Sequence, residues 1–142
     1  MRRLVLAASL VAACLVSGLV NLSAADKAND SPKAAATRKL LKTKVTVDYK
    51  DTTLTDIIDD LKEQIKDKTK KTISVLKDNK GGVSNNTKFT YKADNKPLDE
   101  VLDEMFKKND MGYVVISQKG NAYDGALKIV KGKARGYEEK KD

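Results

Sequence analysis

Two stretches of the chain, "VTVDYKDTTLTDIIDDL" from Val45 and "FTYKADNKPLDEVLDEM" from Phe89, superimpose without a gap at an offset of forty-four residues. Thr46/Thr90, Leu54/Leu98 and Asp59/Asp103 are identical. Val45/Phe89, Val47/Tyr91, Asp56/Glu100, Ile57/Val101, Ile58/Leu102, Asp60/Glu104 and Leu61/Met105 are similar in kind. Each copy switches its apolar period from two to between three and four, which is the signature of a strand running into a helix. One strand–helix unit cannot cover the apolar stripe of its own helix, whereas two can cover each other. Any two units with these periodicities would share part of this agreement, so the overlay speaks for architecture more than for duplication.

In the first copy Val45, Val47 and Tyr49 share one strand face and Thr46, Asp48 and Lys50 the other. Leu54, Ile57, Ile58, Leu61 and Ile65 then form a helical stripe opposite Asp56, Asp59, Asp60 and Glu63. Thr53 with Asp56 approaches a capping box. The early acids and the late Lys66, Lys68, Lys70 and Lys71 follow the charge order that the helix dipole favours. "TISVL" from Thr72 reads as a short strand and "KDNKGGVSNNT" as a turn-rich loop. In the second copy Phe89, Tyr91 and Ala93 make the strand face, and Pro97 suits the first helical position. Leu98, Val101, Leu102, Met105 and Phe106 make the stripe, with Gly112 as the expected helix cap. "YVVIS" from Tyr113 and "ALKIVKG" from Ala126 read as a hairpin. The expectation is a small two-helix α+β domain over residues 44–131, in the order β-α-β-β-α-β-β. It is built as a pseudo-repeat, with the helices packed against small sheets. Residues 26–43 read as a linker with room for a short helical turn at its end, and 132–142 as a charged flexible tail.

Ahead of this domain, Arg2 and Arg3 precede an apolar run from Leu4 to Val20, and "SAAD" follows. This is the order of a secretory signal spanning residues 1–25, with cleavage after Ala25. A run of this length also sits near the lower limit for a membrane span. The cleavage site that follows at once, and the Ala, Val and Ser content, favour a leader. Cys14 is the only cysteine, and "VAAC" resembles a lipobox. Lipidation of Cys14 is the alternative, and it is the only route by which the chain would hold a membrane. Cleavage after Ala25 leaves a mature chain with no thiol for a disulfide, a nucleophile or a metal.

The chemistry on offer is narrow. The chain has no histidine and no tryptophan. Ser31, Ser74, Ser84 and Ser117 therefore lack the base that would activate them. The acids Asp56, Asp59, Asp60 and Glu63 lie among lysines opposite an apolar stripe, as solvated helix surfaces do. "DNKGG" lacks the acidic spacing of a calcium loop, and no phosphate-binding glycine loop occurs. The expectation is a protein without catalytic residues, cofactor or metal; dependence of some turnover on Asp59 or Asp103 would revive an enzyme. The mature chain carries 26 basic and 20 acidic residues, a net charge of +6. Anionic polymers would find Lys66, Lys68, Lys70 and Lys71, and a second group, Lys128, Lys131, Lys133 and Arg135. An exported chain meets little nucleic acid, so a nucleic-acid partner is not expected.

The stretches "VTVDYKDTTLTDIIDDLKEQI" and "FTYKADNKPLDEVLDEMFKKNDMGYVVI" resemble the short domain at the N-terminus of secretins and TonB-dependent signalling receptors. In that family a strand runs through a turn ending in Pro-Leu or Thr-Leu into a helix of the form "LxDxLxxL" and then a strand. "TLTDIIDDL" matches at Thr53 to Leu61 and "PLDEVLDEM" at Pro97 to Met105. The resemblance covers residues 44–131. It implies a two-helix α+β fold and a non-catalytic role in binding envelope proteins, or in self-association, in the periplasm or cell envelope of a bacterium. Within residues 1–142 no stretch matches the pore, plug or barrel domains of that family, so the partner's identity is not expected to carry over. The competing expectation is a basic module that binds an anionic envelope polymer.

Overall fold

The computed structural model describes residues 30–137. The chain order is α1 (Pro32–Leu41), β1 (Lys44–Thr53), α2 (Leu54–Thr69), β2 (Val75–Lys77), β3 (Lys88–Pro97), α3 (Leu98–Lys107), β4 (Met111–Val115), β5 (Leu127–Lys131) and β6 (Arg135–Gly136). β1 and β3 form an antiparallel ribbon. The other four strands form a mixed sheet in the order β2-β5-β4-β6, with β5 and β4 antiparallel and both outer strands parallel to their neighbours.

The alternating residues behave as their period demands. Val45, Val47 and Tyr49 are buried, and Lys44, Thr46, Asp48 and Lys50 are exposed. Thr53 caps α2: its hydroxyl oxygen accepts from the Asp56 N–H at 3.3 Å and donates to the Asp56 carboxylate at 2.6 Å. Four of the five stripe residues of α2 are buried, Ile58 being partly exposed, and all five of α3 are buried.

The ribbon's register follows the sequence offset. Asp48 faces Lys92, Val47 faces Ala93 and Tyr49 faces Tyr91. Moving one partner forward and the other back by forty-four positions turns the second pair into the third and returns the first to itself. Register shifts fall between Tyr49 and Thr52 and between Val45 and Val47, and the residues with positive φ beside them are Asp51 (52°) and Asn95 (50°). The Asp51 N–H donates to Thr90 Oγ1 at 3.1 Å, and the Asn95 N–H to Thr46 Oγ1 at 3.1 Å. The helix starts match as well: the Leu54 N–H donates to the Thr87 carbonyl at 2.8 Å and the Leu98 N–H to the Thr43 carbonyl at 3.0 Å. Thr46 and Thr90, identical in sequence, thus each close the bulge of the opposite strand. Thr46→Val and Thr90→Val keep the branched shape and delete the hydroxyl. In urea titrations each should lose about 0.5–1.5 kcal/mol. Thr46→Val should lose more, because its hydroxyl also donates to Asp94 at 2.9 Å.

Several expectations need correction. There are three helices among the described residues, not two, because the stretch read as a linker contains α1. Ser31 caps it, accepting from the Ala34 N–H at 3.1 Å, and Pro32 opens it. Its buried residues, Ala34, Thr37 and Leu41, have helical spacing, but two of them are too small or too polar to give a hydropathy contrast. Residues read as tail contain β6, held by Arg38 of α1, whose Nη1 donates to the Gly136 carbonyl at 2.6 Å and whose guanidinium lies 3.7 Å from the centre of the Tyr137 ring. Gly112 is not a cap. α3 ends at Lys107, Asp110 takes the left-handed conformation (φ 49°), and Gly112 lies within β4. Pro97 stands at the cap of α3 rather than inside it. β2 starts at Val75, three residues later than Thr72.

All three helices send buried residues into one core, which also takes the inner sides of both sheets. At its centre Phe106 is fully buried, 5.8 Å from the Phe89 ring and 6.5 Å from the Tyr113 ring. Among the described residues no helix is long and apolar enough to cross a membrane. The leader, the cleavage position and Cys14 lie outside the described residues.

Candidate functional site

The eight cations singled out from the sequence do not share one surface. Lys66 and Lys68 end α2, Lys70 is its left-handed cap (φ 58°), and the Lys68 ammonium donates to the Lys44 carbonyl at 2.6 Å. Lys71 lines a shallow crevice with Thr72 and Ala126, at the Leu127 end of β5. Lys133 and Arg135 line a different crevice with Asp110 and Gly132, beyond the Lys131 end. β5, roughly 15 Å long for its five residues, separates Lys71 from Lys133 and Arg135 and itself carries Lys128 and Lys131. Lys128, on β5, pairs with Asp78 at 3.3 Å. The Gly81 N–H and then Lys128 hold the Asp78 carboxyl below its usual range.

Two acids of the helices accept from strand tyrosines. Tyr49 donates to Asp60 at 2.6 Å, and Tyr91 to Glu104 at 2.6 Å. Burial first, and then the neighbouring carboxylate, raises both phenol pKa values. Lys96 and Tyr91 together lower the Glu104 pKa. Asp59 pairs loosely with Lys62 at 3.8 Å. Among the described residues no group of three or more acids, histidines or cysteines is placed to hold a metal ion.

The remaining serines and acids tie elements together. Ser31 is almost wholly buried; its hydroxyl donates to Asp124 at 2.6 Å and its N–H to Ser117 Oγ at 2.7 Å. Asp124 also accepts from the Gln118 N–H at 3.0 Å, so α1 is fixed to the turn before β5. Sequence patterns pass over this network because its members are far apart in the chain.

Asp103 is a half-buried acid of α3. Its Oδ1 is shut off from solvent without a hydrogen bond, with Arg135 Nε at 3.5 Å. The Tyr113 hydroxyl nearby donates to the Asp99 carbonyl at 3.4 Å. Burial raises the Asp103 pKa, against the opposing pull of Tyr113 and Arg135. A raised folded-state pKa means that the folded protein binds more protons than the unfolded one, so this group's contribution to stability declines as pH rises through the carboxylate range. Asp103→Asn should therefore be more stable than the parent at neutral pH, and the two should converge in acid. Urea midpoints at both pH values check this.

The feature that no sequence pattern announced is the outer face of the mixed sheet. Val114 and Ala126 are buried yet lie outside the core. By strand alternation they share a face with Leu76, Ile116, Lys128 and Val130, most of them partly exposed. Among the described residues all three helices send side chains to the core on the other side, and α1 reaches the rim of this face at Ala126, where Lys33, Ala36 and Thr37 wall the same crevice. The reason it went unseen is that β4 is buried on both faces, so "MGYVV" shows no alternation. No known protein family, curated protein or solved structure matches the chain.

Proposed function

We propose that the chain is an exported, non-catalytic protein-interaction or assembly module of the bacterial cell envelope, of the kind formed by the short domain of secretins and TonB-dependent receptors. The observation that carries this reading is the outer sheet face, on which Leu76, Ile116 and Val130 are partly exposed, an apolar surface of the type that associating proteins cover. The reading also takes the two strand–helix units as a pseudo-repeat, which the register relation and the matched threonine bonds support. The polymer-binding alternative would have to span cations spread along β5, from Lys71 beyond one end through Lys128 to Lys133 and Arg135 beyond the other.

The test uses the chain from Asp26 onward, which contains every described residue, in sedimentation and in affinity capture from a bacterial envelope extract at low and high salt. Association that persists at high salt and is lost in Val130→Glu supports the reading. Binding that weakens steeply with salt, and disappears when Lys66, Lys68, Lys70 and Lys71 are neutralised together, replaces it with the polymer reading. Export is checked separately by the N-terminal sequence of the protein recovered from the periplasm, expected to begin at Asp26.

A further inference from the structure

Among the described residues β2 is an edge strand, paired with β5 alone. The Leu127 N–H donates to the Ser74 carbonyl at 2.8 Å and the Asp78 N–H to the Ile129 carbonyl at 2.9 Å, with Val75 beside Leu127 and Lys77 beside Ile129. In a parallel ladder of this phase the backbone of Leu76 serves β5, while Val75 and Lys77 turn their N–H and C=O groups away from the sheet. Among the described residues the Lys77 carbonyl accepts from the Asn79 N–H at 3.0 Å, and the other outward groups have no backbone partner. Val75 and Ile58 rim an apolar crevice that runs inward to Leu61 and Leu102, with Lys62 also at its edge. The half-buried Lys77 ammonium reaches the Thr55 hydroxyl at 3.3 Å. Among the described residues no carboxylate stands within ion-pair distance of it.

We propose that β2 is a docking edge for an extended segment of another protein that carries an apolar side chain and, two residues away, a carboxylate. This rests on the interaction-module reading and names the partner's chemistry. Neighbours in register point to the same face of a sheet, so the apolar side chain would lie beside Val75 over the crevice and the carboxylate beside Lys77. A second copy fits poorly: a two-fold pairing centred on Leu76 would set Val75 against the other copy's Lys77 and bring no carboxylate to either ammonium. The other edges are guarded or short. On β1, Gln64 occupies both the N–H and the carbonyl of Thr46, at 3.2 and 3.0 Å. β3 bears Lys88, Lys92 and Lys96, which discourage strand addition, and β6 has two residues.

The experiment titrates the isotope-labelled chain from Asp26 onward with a capped Thr-Val-Thr-Glu-Thr peptide and follows backbone amides by NMR. The expected result is shifts and exchange protection at Val75 and Lys77, with much weaker binding of a Thr-Val-Thr-Lys-Thr control. Lys77→Pro removes an outward N–H without breaking the β5 ladder and should abolish binding. Should that variant lose its fold, Lys77→Met keeps the N–H and should weaken binding by up to about fivefold. Absence of binding, shifts along β3 instead, or equal binding of the lysine peptide overturns the proposal. If envelope capture succeeds while Val75 and Lys77 stay unshifted, the docking edge is wrong and the interaction reading stands.

Discussion

Phe106→Ala is expected to lose about 3–5 kcal/mol of stability, the usual range for removing a buried phenyl ring. Phe106 is fully buried on α3 and touches one ring from each sheet, Phe89 of β3 and Tyr113 of β4. Its loss opens a cavity at the place where the ribbon and the mixed sheet share a core, so neither sheet can close the gap alone. Domains of this size hold about 5–15 kcal/mol in total. The variant should therefore show a much lower urea midpoint and a measurable unfolded population near physiological temperature. Glu100→Ala, on the exposed side of the same helix, should change stability by less than about 1 kcal/mol.

Gly112→Ala should have the second largest effect. A Cβ at Gly112 would stand 2.5 Å from the Ala134 carbonyl oxygen and 2.8 Å from the Ala134 nitrogen, both backbone atoms that cannot swing aside. The strand must give way, and β6 is a short partner whose ladder with β4 consists of Tyr113–Arg135 and Val114–Gly136. A loss of up to about 3 kcal/mol is expected. Hydrogen exchange should quicken first around β6, including at the Tyr113 N–H, which now donates to the Ala134 carbonyl at 3.0 Å. Exchange that stays slow there, with stability unchanged, would show that β6 can shift to accommodate a methyl group.

These two positions show what the sequence could and could not disclose. Phe106 was legible because it closes a periodic stripe of large apolar side chains, and periodicity reports burial directly. Gly112 was misread because a glycine a few residues past a helix has two physical uses, a left-handed cap and a close backbone approach, and only the packed strand distinguishes them. α1 was missed because Ala34 and Thr37 bury little and bond specifically; Thr37 donates to the Gly125 carbonyl at 2.5 Å, a contact between residues far apart in sequence. The lysine groups were legible as charge but not as a surface, because their separation depends on the direction of β5. The open edge of β2 depends on the phase of a parallel ladder, which three residues of sequence do not encode.

The pair at the middle of the ribbon has a consequence of its own. Asp48 meets Lys92 at 3.0 Å, and that ammonium lowers the pKa of the Asp48 carboxyl. The contact is exposed, and such pairs add little to stability. Its meaning lies in identity. Where two like units face each other about a centre, the central position is the one at which a side chain must confront its own counterpart. Two first units meeting there would set aspartate on aspartate, and two second units lysine on lysine. Only the mixed encounter sets unlike charges together, so the central pair favours the register of β1 on β3 over that of either strand on a copy of itself.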